Sequence, residues 1–204
     1  MKFKIALLLF LVIYCGDNYI IQRAAQDYLP LGEDYWWLYS SGDDTIYVEV
    51  EPVDTILQME CFPVSYDGAT RYLVKSDESI SRYVLKTYNY AGIDYTVLEN
   101  FIVRIELPLV EGNDYHHTLS DSMYVANQLI KAQYEIIGSI VGYAQESEYG
   151  DVYQINITTI ESMVTDDTSI VDTSGVIEYY APAIGMIRFS DTTGEYELIE
   201  YSIP

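Results

Sequence analysis

Residues 41–50 read Ser41-Gly42-Asp43-Asp44-Thr45-Ile46-Tyr47-Val48-Glu49-Val50, and the pattern inside them recurs along the chain. The first four are turn chemistry. The next six alternate, with Ile46, Val48 and Val50 on one face and Tyr47 and Glu49 on the other, which is the period of a strand with one buried side. Working outward, residues 57–61, 70–75, 80–90 and 95–107 read as further strands. Asp67-Gly68 is a strong hairpin-turn dipeptide and Ala91-Gly92 a softer one. Glu111-Gly112-Asn113-Asp114 opens the longest polar connection, reaching Ser122. Long strands are expected at 124–142 and 152–165, divided near Tyr149-Gly150-Asp151, with 125–132 the one stretch where a helix competes. Residues 166–175 read as a polar turn region, and three short strands close the chain. Ten or so strands with turn signals every 8–12 residues predict a mainly β fold, an antiparallel curved sheet or open barrel with one or two short helices.

The start of the chain has a different character. Lys2 and Lys4 precede an unbroken apolar run, residues 5–14, which as a helix spans ~15 Å, about half a hydrocarbon core. That length suits a secretory signal and not a membrane span, and no later apolar run compares with it. Residues 1–14 are therefore read as a signal peptide, 15–34 as a lead with one or two helical turns around 20–25, and 35–204 as a single β-rich domain. Cys15 stands where an acylated lipoprotein cysteine would stand, followed by Gly16, Asp17 and Asn18, although Tyr14 is large for the position before it. Two uses compete with acylation: cleavage nearby by an ordinary signal peptidase, and, because export permits disulfides, a Cys15–Cys61 bridge. Acylation would leave Cys61 as a small buried apolar residue.

Loss of the signal takes Lys2 and Lys4 with it and moves the net charge from −22 to −24. Such a charge repels phosphate backbones and argues against nucleic acid as a partner. The acids are scattered, as on a solvated surface. Tyrosine supplies 22 residues against five phenylalanines and two tryptophans, which fits sheets with one wet face, since the ring packs while the hydroxyl meets water.

Two segments resemble a known family. Tyr28-Leu29-Pro30-Leu31, followed by Trp37 and Tyr39, resembles the Y-x-P-L-x-x-G-x-x-W-x-Y opening of TapB-like exported lipoproteins. Glu178-Tyr179-Tyr180-Ala181-Pro182-Ala183-Ile184-Gly185-Met186-Ile187 resembles their Ala-Pro-Gly-(Val/Ile)-Gly hairpin, and residues 196–201 their final strand. Asp34 stands where that family usually has Gly, and Ala183 where Gly is common, which argues against a positive φ at Ala183. The resemblance implies an envelope lipoprotein with a half-barrel like those of lipoprotein carriers, with Trp37 as a core anchor and Pro182 with Gly185 setting a tight return. It transfers no catalytic residue.

Other chemistry is sparse. His116-His117, near Asp114 and Asp121, is the one imidazole pair; on a strand its rings would face opposite ways, whereas in a loop they could converge. With 32 acids no carboxylate pair stands out. Asp43-Asp44 and Asp166-Asp167 lack calcium-loop spacing, there is no CxxC array, and no G-x-S-x-G elbow accompanies Ser120 or Ser122. No metal or other cofactor is expected. The reading that follows is a non-enzymatic protein of the bacterial cell envelope, tethered to the membrane through its N-terminal lipid and binding an apolar, lipid-like ligand or a partner protein. A structural assembly component without a ligand cavity is the alternative, and a hydrolase would need His116 or His117 to meet a carboxylate in a cleft. Protein purified from a bacterial membrane fraction should have the intact mass of residues 15–204 plus acyl groups; an unacylated soluble product would remove the lipid anchor from this reading.

Overall fold

A computed structural model describes residues 27–146 and 148–203. Among these residues there are thirteen strands and no helix: β1 (Trp36–Ser41), β2 (Asp44–Val50), β3 (Asp54–Ile56), β4 (Met59–Tyr66), β5 (Ala69–Lys75), β6 (Ser79–Tyr90), β7 (Ile93–Glu106), β8 (Asp114–Val125), β9 (Gln128–Glu146), β10 (Gly150–Val164), β11 (Ser169–Ala181), β12 (Gly185–Ser190) and β13 (Glu195–Ser202). All pairings are antiparallel, in the order β7-β6-β5-β4-β2-β1-β13-β12-β11-β10-β9-β8, with β3 paired to β4 off this path. The sheet curls into a nearly closed barrel, with β1 lying between β2 and β13 so that the first and last strands are neighbours.

The alternation at Ile46, Val48 and Val50 becomes one wall of the interior. Trp37 is opposite Val48, Val48 opposite Tyr66, Val50 opposite Val64, and Val64 opposite Arg71. Cross-strand partners share a face, so these rows carry the inward side from strand to strand. Ile80, Ile102, Ile105, Ile136, Ile140 and Ile155 fill much of the remaining interior, each at most 3% exposed.

The hairpins sit largely where the turn dipeptides predict them. Asp67-Gly68 and Ala91-Gly92 have positive φ at both residues, as a tight two-residue hairpin turn requires. Four expectations are corrected. The stretch 125–132 contains no helix: Ala126 and Asn127, both at positive φ, form the turn between β8 and β9, so the long strand expected at 124–142 begins only at Gln128. The polar connection ends at Asp114, and 114–125 is strand. Residues 169–175 belong to β11 and not to a turn region, the reversal being confined to 165–168, where Thr165 Oγ1 accepts bonds from the Asp167 and Thr168 amides. Residues 114–122, on the edge strand β8, and 169–175, the part of β11 that pairs only with β10, are mostly polar and lack the apolar alternation that marks buried strands, and so they read as connections. Leu57 and Gln58, expected in a strand, are the positive-φ turn between β3 and β4. The helical turns expected around 20–25 lie outside the described residues.

The barrel closes between β7 and β8 without a backbone ladder. The Tyr115 hydroxyl donates to the Arg104 carbonyl (2.8 Å), and Asn113 Nδ2 donates to Glu106 Oε2 (3.2 Å). Tyr115 lies opposite Gly138 on β9, and a Cβ at Gly138 would fall 1.9 Å from Tyr115 Cζ. Glycine in mid-strand here makes room for a ring that staples the seam. Gly138→Ala should destabilise the fold by about 1–3 kcal/mol in urea denaturation, because Tyr115 must leave its seat. Tyr115→Ala in the Gly138→Ala background should cost less than in the wild-type background, since the clash has gone; strictly additive losses would show that the ring and the glycine do not depend on each other.

Candidate functional site

Residues 27–35 cross one end of the barrel as a plug. Tyr28 is buried, edge-on to Tyr153 with ring centroids 5.2 Å apart, and Pro30 is buried too. Lys75 Nζ donates to the Leu29 carbonyl (2.7 Å) and pairs with Asp27, while the Ala183 amide donates to the Asp27 carbonyl (2.6 Å). The motif residues at the two ends of the chain meet here. Trp37 Nε1 donates to the Ile184 carbonyl and the Tyr39 hydroxyl to the Met186 carbonyl, both at 2.7 Å. Gly185 has φ +98, a backbone conformation that favours glycine, and a Cβ there would meet Pro30 at 3.4 Å and Trp37 at 3.6 Å, ordinary contact distances. Pro182 is half-buried in the turn before β12. Ala183 corrects the expectation drawn from its side chain: it adopts φ +60, and Asp34 adopts +66, so both hold the left-handed turn without glycine.

Behind the plug the interior is apolar and nearly full. A residual pocket of about 30 Å³, lined by residues including Leu31, Trp37 and Tyr180, has room for little more than a water. Further along the interior a polar cavity of about 290 Å³ reaches solvent between Asp67, Ser174 and Asp191, all exposed. Arg71, Arg82 and Arg104 line both spaces and so stand at their junction.

Each arginine reaches the interior for a readable reason. Arg71 and Arg82 occupy inward register positions, opposite Val64 and Leu73 respectively. Arg104 is the extra residue of a β-bulge: Ile80 pairs with Ile105 and Ser81 with Val103, leaving Arg104 without a cross-strand partner. Bulges commonly re-aim a side chain in this way. Arg104 grips Glu178 of β11 across the barrel with two bonds, Nη1 to Oε2 at 2.9 Å and Nη2 to Oε1 at 2.5 Å, and the Tyr180 hydroxyl donates to Oε2 at 2.8 Å. The side chains are 14% and 6% exposed. Burial alone would raise the Glu178 carboxyl, but the Arg104 charge and the bonds from Arg104 and Tyr180 outweigh it and hold the carboxyl below its ordinary value. Farther along, Lys86 pairs with Glu161 and lies 5.4 Å from the centre of the Tyr134 ring.

The histidines are not part of this cavity. They lie on β8, not in a loop, and alternate across it. His116 meets Glu135 at 2.8 Å and Thr118 at 3.3 Å, while His117 meets Glu106 at 2.9 Å beside the β7–β8 seam. Two separate carboxylates on two faces do not make one site, and neither imidazole lines the cavity. Among the described residues no cluster of His, Cys, Asp and Glu has the geometry of a metal site. Cys61 is a free, buried thiol beneath β3, pushed up by burial and by Asp54; Cys15, and with it the acylation or bridge expected there, lies outside the described residues.

The sequence reading missed the arginines and Glu178. The signal was present in Phe101-Ile102-Val103-Arg104-Ile105, a cation inside an apolar strand of an acidic chain, but only the bulge shows which way it points.

No protein-family model and no curated protein matches the sequence. Two solved structures are similar in outline: a candidate lipoprotein from Parabacteroides distasonis ATCC 8503 (TM-score 0.42, 12% identity, 87% of this chain and 99% of that one) and a candidate exported protein with a YmcC-like fold from Bacteroides fragilis NCTC 9343 (TM-score 0.41, 12% identity, 88% and 100%).

Glu178→Ala should cost about 3–5 kcal/mol in chemical denaturation, since it strands a buried guanidinium, while Arg104→Met with Glu178→Met should recover most of that loss. Because folding lowers the Glu178 carboxyl, its stabilisation is present above the ordinary carboxylate range and is lost as pH falls through the lowered folded value. The stability difference between wild type and Glu178→Gln should therefore shrink on acidification from neutral pH; a difference independent of pH would contradict this assignment.

Proposed function

We propose that this chain is an exported binding protein of the bacterial envelope, tethered through Cys15, which takes a small ligand into the open end of its barrel. The observation that carries the reading is the 290 Å³ polar cavity inside a barrel whose other end is plugged. That volume is at the small end of ligand sites, which run from ~300 Å³ upward. A component built only for assembly would have a filled interior. A carrier of a long acyl chain would need far more apolar space than the pocket beneath the plug offers, so the ligand is a compact polar molecule and not the lipid-like chain expected from the sequence.

Export rests on the signal pattern at residues 1–14 and on the TapB-like motif at Tyr28, Pro30, Trp37 and Tyr39. From Cys15 to Asp27 the chain can extend at most about 40 Å, so an acyl anchor would hold the plugged end near the membrane and leave the barrel free to turn its open mouth outward.

Native mass spectrometry of protein released gently from membranes tests this. The wild type should carry a small bound molecule. Ser174→Phe, at an inward position opposite Thr159 on the cavity wall, should fold normally and lose it. Equal occupancy in the two proteins, or none in the wild type, would overturn the reading.

A further inference from the structure

The charges on the cavity wall are unevenly placed. Arg71, Arg82 and Arg104 lie at its inner end, facing one carboxylate, Glu178, which Arg104 and Tyr180 already engage. The remaining acids, Asp67 and Asp191, are at the exposed rim. Asp191 spends its Oδ1 on its own turn, accepting from the Thr193 amide, the Thr193 hydroxyl and the Gly194 amide. Glu161, the carboxylate whose field reaches Arg82, is paired with Lys86.

Two guanidiniums are left over. Arg71 packs on the Tyr66 ring, 4.3 Å from its centre, a contact that orients a guanidinium without neutralising it. Arg82 has no carboxylate within ion-pair distance among the described residues. Burial disfavours its charge, and Arg71 and Arg104 add repulsion against the opposing pull of Tyr134 and Glu161. The buried Tyr134 hydroxyl beside it has no hydrogen-bond partner there either. Arg71 reaches Glu178 and Asp191, and Arg82 reaches Glu161, only through their fields, and among the described residues neither guanidinium makes an ion pair or a side-chain hydrogen bond, so their N–H donors are left for an anion that enters the cavity.

We infer that Arg71 and Arg82 form an oxyanion subsite at the inner end of the cavity, which binds a phosphate or carboxylate group of the ligand. The guanidinium fork suits both groups, because its parallel N–H donors match paired oxygens. Arg104 is a positioning residue: its bond to Glu178 fixes the wall against which the other two converge. The inference rests on the lumen being the ligand site.

The test is titration of the mature protein, labelled with ¹⁵N-arginine, with inorganic phosphate and separately with hexyl phosphate, followed through the Nε–H signals. The sequence has five arginines, so assignment by single Arg→Gln variants is direct. The Arg71 and Arg82 signals should shift in saturable fashion. Arg188, which stacks on the outward Tyr179 ring at 3.9 Å, should not. Arg82→Gln and Arg71→Gln should each weaken phosphate binding by about tenfold, Arg82→Lys by less, and Arg188→Gln by under about twofold. Tighter binding of hexyl phosphate would show that the subsite takes the head of a larger molecule; equal binding would show that it takes the free anion, and either supports the subsite. Equal shifts at Arg188, or none at Arg82, overturn it. If the co-purified molecule stays bound to Arg82→Gln while phosphate moves no signal, the anion subsite falls and the lumen reading stands. If Ser174→Phe also changes nothing, both fall.

Discussion

The Arg104–Glu178 pair is the constraint on which the interior depends. It joins β7, at one margin of the sheet, to β11 on the opposite wall, so the curl of twelve hydrogen-bonded strands is held at a fixed width by two side chains. A buried ion pair gives little net stability, because desolvating both charges offsets most of their attraction. Its value is geometric: an apolar pair could slide, whereas a bidentate fork with Tyr180 on the same carboxylate has one arrangement. The bulge that aims Arg104 inward also frees its carbonyl to accept from Tyr115, which closes the seam between β7 and β8. One irregular residue therefore serves both the width of the barrel and its closure.

The two ends of the barrel are treated differently for a physical reason. At one end, residues 27–35 bring Tyr28, Pro30 and Leu31 over the interior, and Trp37 and Tyr39 spend their polar atoms on the carbonyls of Ile184 and Met186. Every large apolar side chain there finds a partner and the space is nearly filled. Toward the other end Thr159, Ser174 and, deeper in, the arginines are set among Ile157, Val176 and Phe189, and these polar side chains cannot pack to the same density without leaving polar groups unsatisfied. The interior accordingly stays open where its lining is polar. This asymmetry makes the fold a receptacle with a floor.

The architecture was legible where apolar residues alternate, and least legible where they do not. Ile46, Val48 and Val50 announced a half-buried strand, and Asp67-Gly68 a hairpin, because both signals are local. Residues 114–122 and 169–175 were read as connections because polar residues dominate them and each segment pairs on one side only, β8 with β9 and the first half of β11 with β10. The 125–132 stretch was open to a helix because its turn, at Ala126 and Asn127, lacks the glycine that usually marks a two-residue hairpin. Ala183 deceived in the same way, holding a left-handed turn through the Asp27 carbonyl instead of through glycine.

By itself the sequence determined the β class, the acidic surface, the export pattern at the N-terminus and the aromatic motif at each end of the chain, since each is a property of residues close together. It did not determine the cavity. Arg71, Arg82, Arg104 and Glu178 are scattered over more than a hundred positions, and their convergence depends on strand register and on a single bulge. A shift of one residue in either would have turned those charges out to solvent. The tertiary structure alone decided that Arg71, Arg82 and Arg104 gather where water is scarce, and that His116 and His117, adjacent in sequence, serve different carboxylates on opposite faces of one strand.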